Sequence, residues 1–300
     1  MQSQQSSYYY QMVKDQLELW NGMNIEQRRN SYEEVALKRD NFSKEVEVEP
    51  VQLGKVSGEW LIPHQQTSDG IIIHLHGGAF AVGNALTHRA IGSHIAQYAK
   101  CKVLMLNYHL CPEHTFPAAL MDVVNTFKLL KEQQGQQKIA ISGDSAGGNL
   151  AITATLYLQQ HQLPIPDALG LMSPWTDLTM TNTTHQTKAL IDPYFPNSER
   201  LMACAKIYAH DKDLKDPLIS PQYASYKNFP PVMTHVGEFE ALLDDAEKFH
   251  QKAIADGVSS QLEIYPSMWH VWQHFVGLIP ESTQSIQTMG QFLALHLANK

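Results

Sequence analysis

Two short stretches set chemistry-bearing side chains among glycines. Gly143-Asp144-Ser145-Ala146-Gly147 fits the pattern G-x-S-x-G. In that pattern small neighbours let the chain turn sharply from strand to helix and leave a serine oxygen exposed at the strand's end. The helix after it points its N-terminus at the site, where a developing negative charge is favoured. Such a serine acts as a nucleophile once a base removes its proton. The second stretch is His76-Gly77-Gly78-Ala79-Phe80, whose small residues let backbone N–H groups approach an oxyanion closely. Either stretch alone has a bland explanation, a tight turn with a bystander serine or histidine. Each comes directly after an apolar run, and the two converge if one sheet carries both.

The elements that would carry them are read from hydrophobic patterning. Residues 71–75, 103–106, 138–142, 168–172, 232–236 and 262–265 are short, nearly continuous apolar runs. Central strands of a parallel sheet need such runs, because both of their faces are covered. Helical stretches near 84–99, 118–133, 147–161, 241–256 and 282–298 separate them, which predicts a doubly wound α/β domain with helices on both faces of a mostly parallel sheet. Residues 7–40 read as helical, interrupted at Asn21-Gly22. Residues 44–62 alternate, as in Val46-Glu47-Val48-Glu49, and predict antiparallel strands with one wet face. Residues 176–229 carry Asp192-Pro193, Phe195-Pro196 and Asp216-Pro217 and no clear strand. They predict a partly helical insertion over the strands' carboxyl ends.

Composition narrows the function classes. The chain has 300 residues, 43% hydrophobic and 17% charged, which suits a soluble globule with a large core and argues against a disordered or fibrous chain. Twenty-two basic against 30 acidic residues give a formal charge of −8, which disfavours a nucleic-acid partner. Cys101, Cys111 and Cys204 form neither an even framework nor a CxxC pair, so free thiols in a reducing compartment are expected. The first residues lack the basic start and apolar run of a secretory signal, and no run of about 18 apolar residues could span a membrane. A cytoplasmic protein is expected. Its oligomeric state is open, a homodimer included.

Four motifs, in order, resemble the hormone-sensitive-lipase-like branch of α/β-hydrolase carboxylesterases. They are His76-Gly77-Gly78-Ala79-Phe80, the segment Tyr108-His109-Leu110-Cys111-Pro112-Glu113-His114-Thr115-Phe116-Pro117-Ala118, Gly143-Asp144-Ser145-Ala146-Gly147-Gly148-Asn149 and Ser173-Pro174-Trp175-Thr176-Asp177-Leu178. The resemblance covers roughly residues 44–298. It implies the α/β-hydrolase fold for 44–300, with cap segments at 1–43 and 180–215. One departure is Ala79, which stands where the lipase/esterase HGGG motif has its third glycine.

A serine hydroxyl needs a base, and the base an orienting acid, in the chain order Ser, acid, His. His235 lies within an apolar strand and His250 within an amphipathic helix, so both read as structural. His270 comes after strand 262–265 in Met268-Trp269-His270-Val271-Trp272, which matches the family's Met-x-His-x-Trp/Phe position; His274 is the fallback. The resemblance places the acid at Glu240, where the family usually has Asp, with Asp244 as the rival. Asp144 reads as a bonding partner of the surrounding loops and Glu113 as a buried structural partner. His74 and His76 form an H-x-H pair with no third ligand at suitable spacing, so no metal is expected. The resemblance implies a serine carboxylic-ester hydrolase acting through an acyl-enzyme on short- to medium-chain esters, with no cofactor. Ser145, Glu240 and His270 would be catalytic, Gly77, Gly78, Ala79 and Ala146 would form the oxyanion hole, and Phe80, Trp175 and Tyr194 would line the acyl pocket. The alternatives are a non-catalytic small-molecule-binding homologue and an amidase or peptidase.

Overall fold

A computed structural model describes residues 3–195 and 198–298; Pro196, one of the predicted breakers, lies outside them. The apolar runs become β3 (Ile71–Leu75), β4 (Lys102–Asn107), β5 (Ile139–Asp144), β6 (Leu169–Met172), β7 (Val232–Gly237) and β8 (Ser260–Tyr265), which pair in parallel. The alternating stretch becomes β1 (Val46–Leu53) and β2 (Val56–Pro63), an antiparallel pair joined to the sheet by β2 against β4. The sheet order is β1-β2-β4-β3-β5-β6-β7-β8. The winding therefore reverses at β3, and the loops after β3 and β5 open into the crevice where doubly wound sheets place their ligands.

The pleat explains why the central runs are apolar throughout. Ile71, Ile73 and Leu75 of β3 pack on one face with α4 (Ala118–Gln134), α5 (Ala146–Gln160) and α8 (Leu243–Ala255). Ile72 packs on the other face with α3 (Ala85–Ala99) and α9 (Pro280–Leu297). On β4 the same sorting sends Leu104 and Leu106 one way and Val103 and Met105 the other. Each such buried aliphatic side chain contributes about 1.5–3 kcal/mol of transfer free energy, enough to fix the register of every central strand.

Outside the sheet, α1 (Gln4–Leu19) and α2 (Ile25–Arg39) are separated where Gly22 takes φ +84°. Asn24 restarts the helix through a capping box: its side chain accepts the Gln27 amide, and the Gln27 side chain accepts the Asn24 amide. Residues 176–229 hold no strand among the described residues, only α6 (Thr184–Thr187), α7 (Ser198–Ala209) and a 3-10 turn at Pro221–Tyr223. Cys101, Cys111 and Cys204 are unpaired. Among the described residues no helix is long and apolar enough to cross a membrane.

Candidate active site

Ser145 sits between β5 and α5 with φ 53° and ψ −118°, a conformation that costs a non-glycine residue energy and must be held by its surroundings. Its amide donates to Met172 O at 2.9 Å, and its carbonyl accepts from Asn149 N and Trp175 N, both at 3.1 Å. Serine is normally a good helix N-cap, yet here its side chain caps nothing. The hydroxyl makes no hydrogen bond among the described residues and faces a cavity of about 470 Å³. The turn is possible because Gly147 lets α5 abut the end of β3, where a Cβ would strike the carbonyls of Leu75 and His76.

The loop after β3 is equally constrained. Gly78, Ala79 and Phe80 have φ of 116°, 52° and 60°, so the alanine in place of a third glycine still adopts the left-handed turn. Tyr108 OH donates to His76 O at 2.6 Å, and Cys111 N donates to Phe80 O at 2.7 Å. Arg29 on α2 donates from Nε to Ala81 O at 2.9 Å. The amides of Gly78, Ala79 and Ala146 donate to nothing among the described residues, and Gly78 and Ala79 line the cavity. Gly77 differs from the expectation. Its amide donates to His88 Nε2 at 3.2 Å, so it is not available to an oxyanion. It is a glycine for space, since a Cβ there would meet the Asp144 carboxylate and Ser145 Cβ.

His270 and Glu240 meet below the cavity rim. His270 Nδ1–H donates to Glu240 Oε2 at 2.8 Å. The other oxygen, Oε1, accepts the Ser173 hydroxyl at 2.9 Å and the Gly237 amide. Burial disfavours the imidazolium, but the hydrogen bond and charge of Glu240, aided by Asp192 and Asp144, outweigh it and raise the His270 pKa. Asp244, the rival acid, instead accepts the amides of Thr183 and Thr184. His235 bonds Ser285 and His250 bonds Ser260, both through Nδ1. His274 Nε2 lies 3.0 Å from Tyr32 OH. Two residues here were given no role at the site from sequence, Ser173, which heads the fourth motif, and Asp192. Asp192 accepts the amides of Tyr194 and Ala241. Burial, reinforced by Glu240, pushes its pKa up to about 7. Its only sequence signal is the proline after it, which marks a turn and nothing more.

Asp144 does not bond the loops as expected but is ringed by imidazoles. Its oxygens lie 3.5 Å from His74 Nε2 and 3.3 Å from His88 Nε2. Burial opposes its charge, yet His88, His74 and His274 hold its pKa well below the usual carboxylate range. His88, Asp144 and His274 place one donor atom each within 4.8 Å of one another. Two of these atoms already have neighbours in the protein: His88 Nε2 accepts the Gly77 amide, and His274 Nε2 lies against Tyr32 OH. Glu113 is a structural partner but is about half exposed, paired to Arg29 at 2.8 Å; Arg29 lowers its pKa to about 2.

Of the three expected lining residues, Tyr194 faces the cavity and packs edge-on to His270 at 5.8 Å. Phe80 and Trp175 do not. Both are fully buried behind the wall, Phe80 stacked on Tyr208 at 3.7 Å. Lining residues that the sequence reading missed come from α1, α2 and α7, among them Val13, Trp20, Arg28, Tyr32, Arg39 and Leu201.

A strained serine elbow at the switch point of a mostly parallel sheet, lining one cavity with an imidazole that is paired to a carboxylate, fits the α/β-hydrolase plan. The chain belongs to the α/β-hydrolase fold family, whose model matches residues 72–274, and within it to the hormone-sensitive-lipase-like carboxylesterases. It is 33% identical over 291 residues to an acetyl-hydrolase of Streptomyces hygroscopicus, covering 94% of this chain and 95% of that one. It is 36% identical over 250 residues to an esterase of Acinetobacter venetianus, covering 82% of each. The crystal structure of an esterase from the bacterial hormone-sensitive lipase family superposes with a TM-score of 0.93 at 34% identity, over 99% of this chain and all of that one. Carboxylic-ester hydrolysis is the activity of this family, and this chain is a carboxylesterase-like hydrolase.

Proposed function

We propose that Ser145 is the nucleophile, His270 its base and Glu240 the acid that orients and charges the base. His270 Nε2 takes the Ser145 proton as Oγ attacks the ester carbonyl. The amides of Gly78, Ala79 and Ala146 receive the oxyanion. His270 then returns the proton to the alcohol, which leaves, and water repeats the sequence on the acyl-enzyme to release the acid. The observation that carries these roles is the 2.8 Å His270–Glu240 hydrogen bond at a cavity that Ser145 also lines. Catalytic hydrogen bonds commonly tighten only once substrate is bound, so an uncommitted Ser145 hydroxyl suits the role.

Residues 1–43 and 180–215 act as the cap: α1, α2 and α7 supply much of the cavity's lining. About 470 Å³ of mainly apolar-walled space suits short to medium acyl chains. Three free cysteines, two of them buried, support a reducing, cytoplasmic setting. Ser145→Ala should reduce hydrolysis of a short 4-nitrophenyl ester by roughly 10³-fold or more while the circular dichroism spectrum is retained. Undiminished turnover in that variant would remove Ser145 from the mechanism.

A further inference from the structure

The cavity-facing side of α2 reads Ile25, Arg28, Tyr32, Val35 and Arg39, steps of three and four that trace one helical stripe. On a helix roofing an apolar pocket that stripe is ordinarily apolar, yet here it carries two guanidinium groups. Neighbouring Arg29 shows what a structural arginine looks like: it is paired to Glu113 and to the carbonyls of Ala81 and Cys111. Arg28 and Arg39 are the opposite. Neither makes an ion pair among the described residues, and the Nε atom of each is buried without a hydrogen-bond partner. A third arginine, Arg200 on α7, also lines the cavity and, unlike Arg28, is engaged, its guanidinium donating to Asn21 Oδ1. Among the described lining residues the only carboxylate is Asp144, beneath Ser145 and ringed by histidines. A chain with 30 acidic and 22 basic residues thus turns three cations and one sequestered anion towards its substrate space.

The two α2 arginines are not equivalent. Eleven residues apart, they are separated by about 16 Å along the helix axis. Arg39 has a resting place over the Phe275 ring, 5.3 Å from its centroid. Among the described residues Arg28 has no such ring; it lines the cavity together with Cys204 of α7, on whose thiol its charge acts. Cys204 is one helical turn from Arg200, so Arg28 and Arg200 face the same end of the cavity. A half-buried guanidinium without a counter-ion is costly, and it is the side chain best shaped to take a carboxylate or phosphate through paired hydrogen bonds.

We propose that this cavity selects esters that carry an anionic group, a carboxylate or phosphate, held at the α2–α7 end by Arg28 with Arg200 beside it. The apolar part of the substrate lies along Val13, Leu17, Trp20 and Met23. The assignment rests on Ser145 attacking an ester and names which esters it attacks.

The test compares 4-nitrophenyl hexanoate with its ω-carboxylate counterpart, mono-4-nitrophenyl adipate, and with the ω-phosphonate of the same chain length. A further pair, phenyl and 4-carboxyphenyl hexanoate, carries the charge on the alcohol side. The expected result is a kcat/KM at least about tenfold higher for one anionic ester than for its neutral partner. That ratio should fall towards one in Arg28→Gln and survive in Arg39→Gln. Whichever anion shows the larger ratio identifies the group that Arg28 holds. No anionic preference in the wild-type enzyme would overturn the proposal, as would a ratio that survives Arg28→Gln or collapses only in Arg39→Gln. Calorimetric binding of the same esters to Ser145→Ala separates the two claims. Tighter binding of the anionic ester, lost on adding Arg28→Gln, supports the anion site even if no ester is turned over. Equal binding of both esters refutes the site even in an active esterase.

Discussion

The carboxylate that holds His270 carries one methylene more than the aspartate usual in the family, and its surroundings absorb the extra length. Glu240 is fully buried, with one oxygen clamped by Ser173 and Gly237 and the other left for the imidazole. In its proposed role as base His270 must be neutral, so turnover should fall as pH drops through its pKa. Burial works against protonation, but Glu240 more than offsets it, and that pKa is raised above the ordinary imidazole value. Glu240→Gln removes both the orienting and the charge effect. We expect kcat to fall on the order of 10²–10⁴-fold and the acid limb of the kcat/KM profile to move to lower pH, because the charge that favoured the imidazolium is gone. Asp192→Asn should move the limb the same way by less, since Asp192 touches backbone amides and acts on His270 only through its charge. If Asp244→Asn rather than Glu240→Gln reproduced the loss of kcat and the displaced limb, the acid would have been misassigned.

At the scale of elements, the site depends on how closely α5 can approach the end of β3. Gly147→Ala would drive a methyl into the carbonyls of Leu75 and His76, and backbone cannot yield as a flexible side chain can. Overpacking of this kind costs about 1–3 kcal/mol or more. The expected outcome is a lower melting temperature together with lost turnover, as the serine elbow and the Gly78–Ala79 amides move apart; a variant with native stability and activity would show that the contact is not needed. The strands and flanking helices were legible in sequence because burial on both faces writes itself as unbroken apolar runs, and sharp turns write themselves as glycine. The lining of the cavity was not. Phe80 and Trp175 are large, apolar and within or beside the motifs, yet they point into the core: Phe80 is directed by the left-handed turn at Ala79 and by packing on Tyr208, and Trp175 packs on Phe80 and donates to Asp177 O. Arg28 and Arg39 lie on a helix without one buried residue, whose pattern says only that it is polar. What they face is decided by the pinning of α2 through Arg29, a contact 84 residues away in the chain.

Over the whole molecule, the same burial that shapes the site should make stability depend on pH. His76 and His235 are wholly enclosed, and loss of hydration pushes the pKa of each down to about 3; His74 and His274 are lowered for the same primary reason. In the unfolded chain these imidazoles titrate near 6.5. A group with a depressed folded pKa binds protons more readily when unfolded, so its contribution is complete above about pH 6.5 and declines as the pH falls from there towards the folded value. His76 and His235 should each withdraw about 1.4 kcal/mol per pH unit in that window. His185 and His270, whose pKa values are raised, and Asp192, pushed up to about 7, act in the opposite sense and offset part of the loss. Asp144, held low, contributes above the ordinary carboxylate value and is lost only at more acid pH. The net expectation is a urea midpoint that falls between about pH 7 and pH 5. His235→Gln, whose side chain can still reach Ser285 but does not titrate, should flatten the decline by roughly one proton's worth. A midpoint independent of pH in the wild-type chain, or an unchanged slope in the variant, would mean that these imidazoles are reached by water and protonate without unfolding the protein.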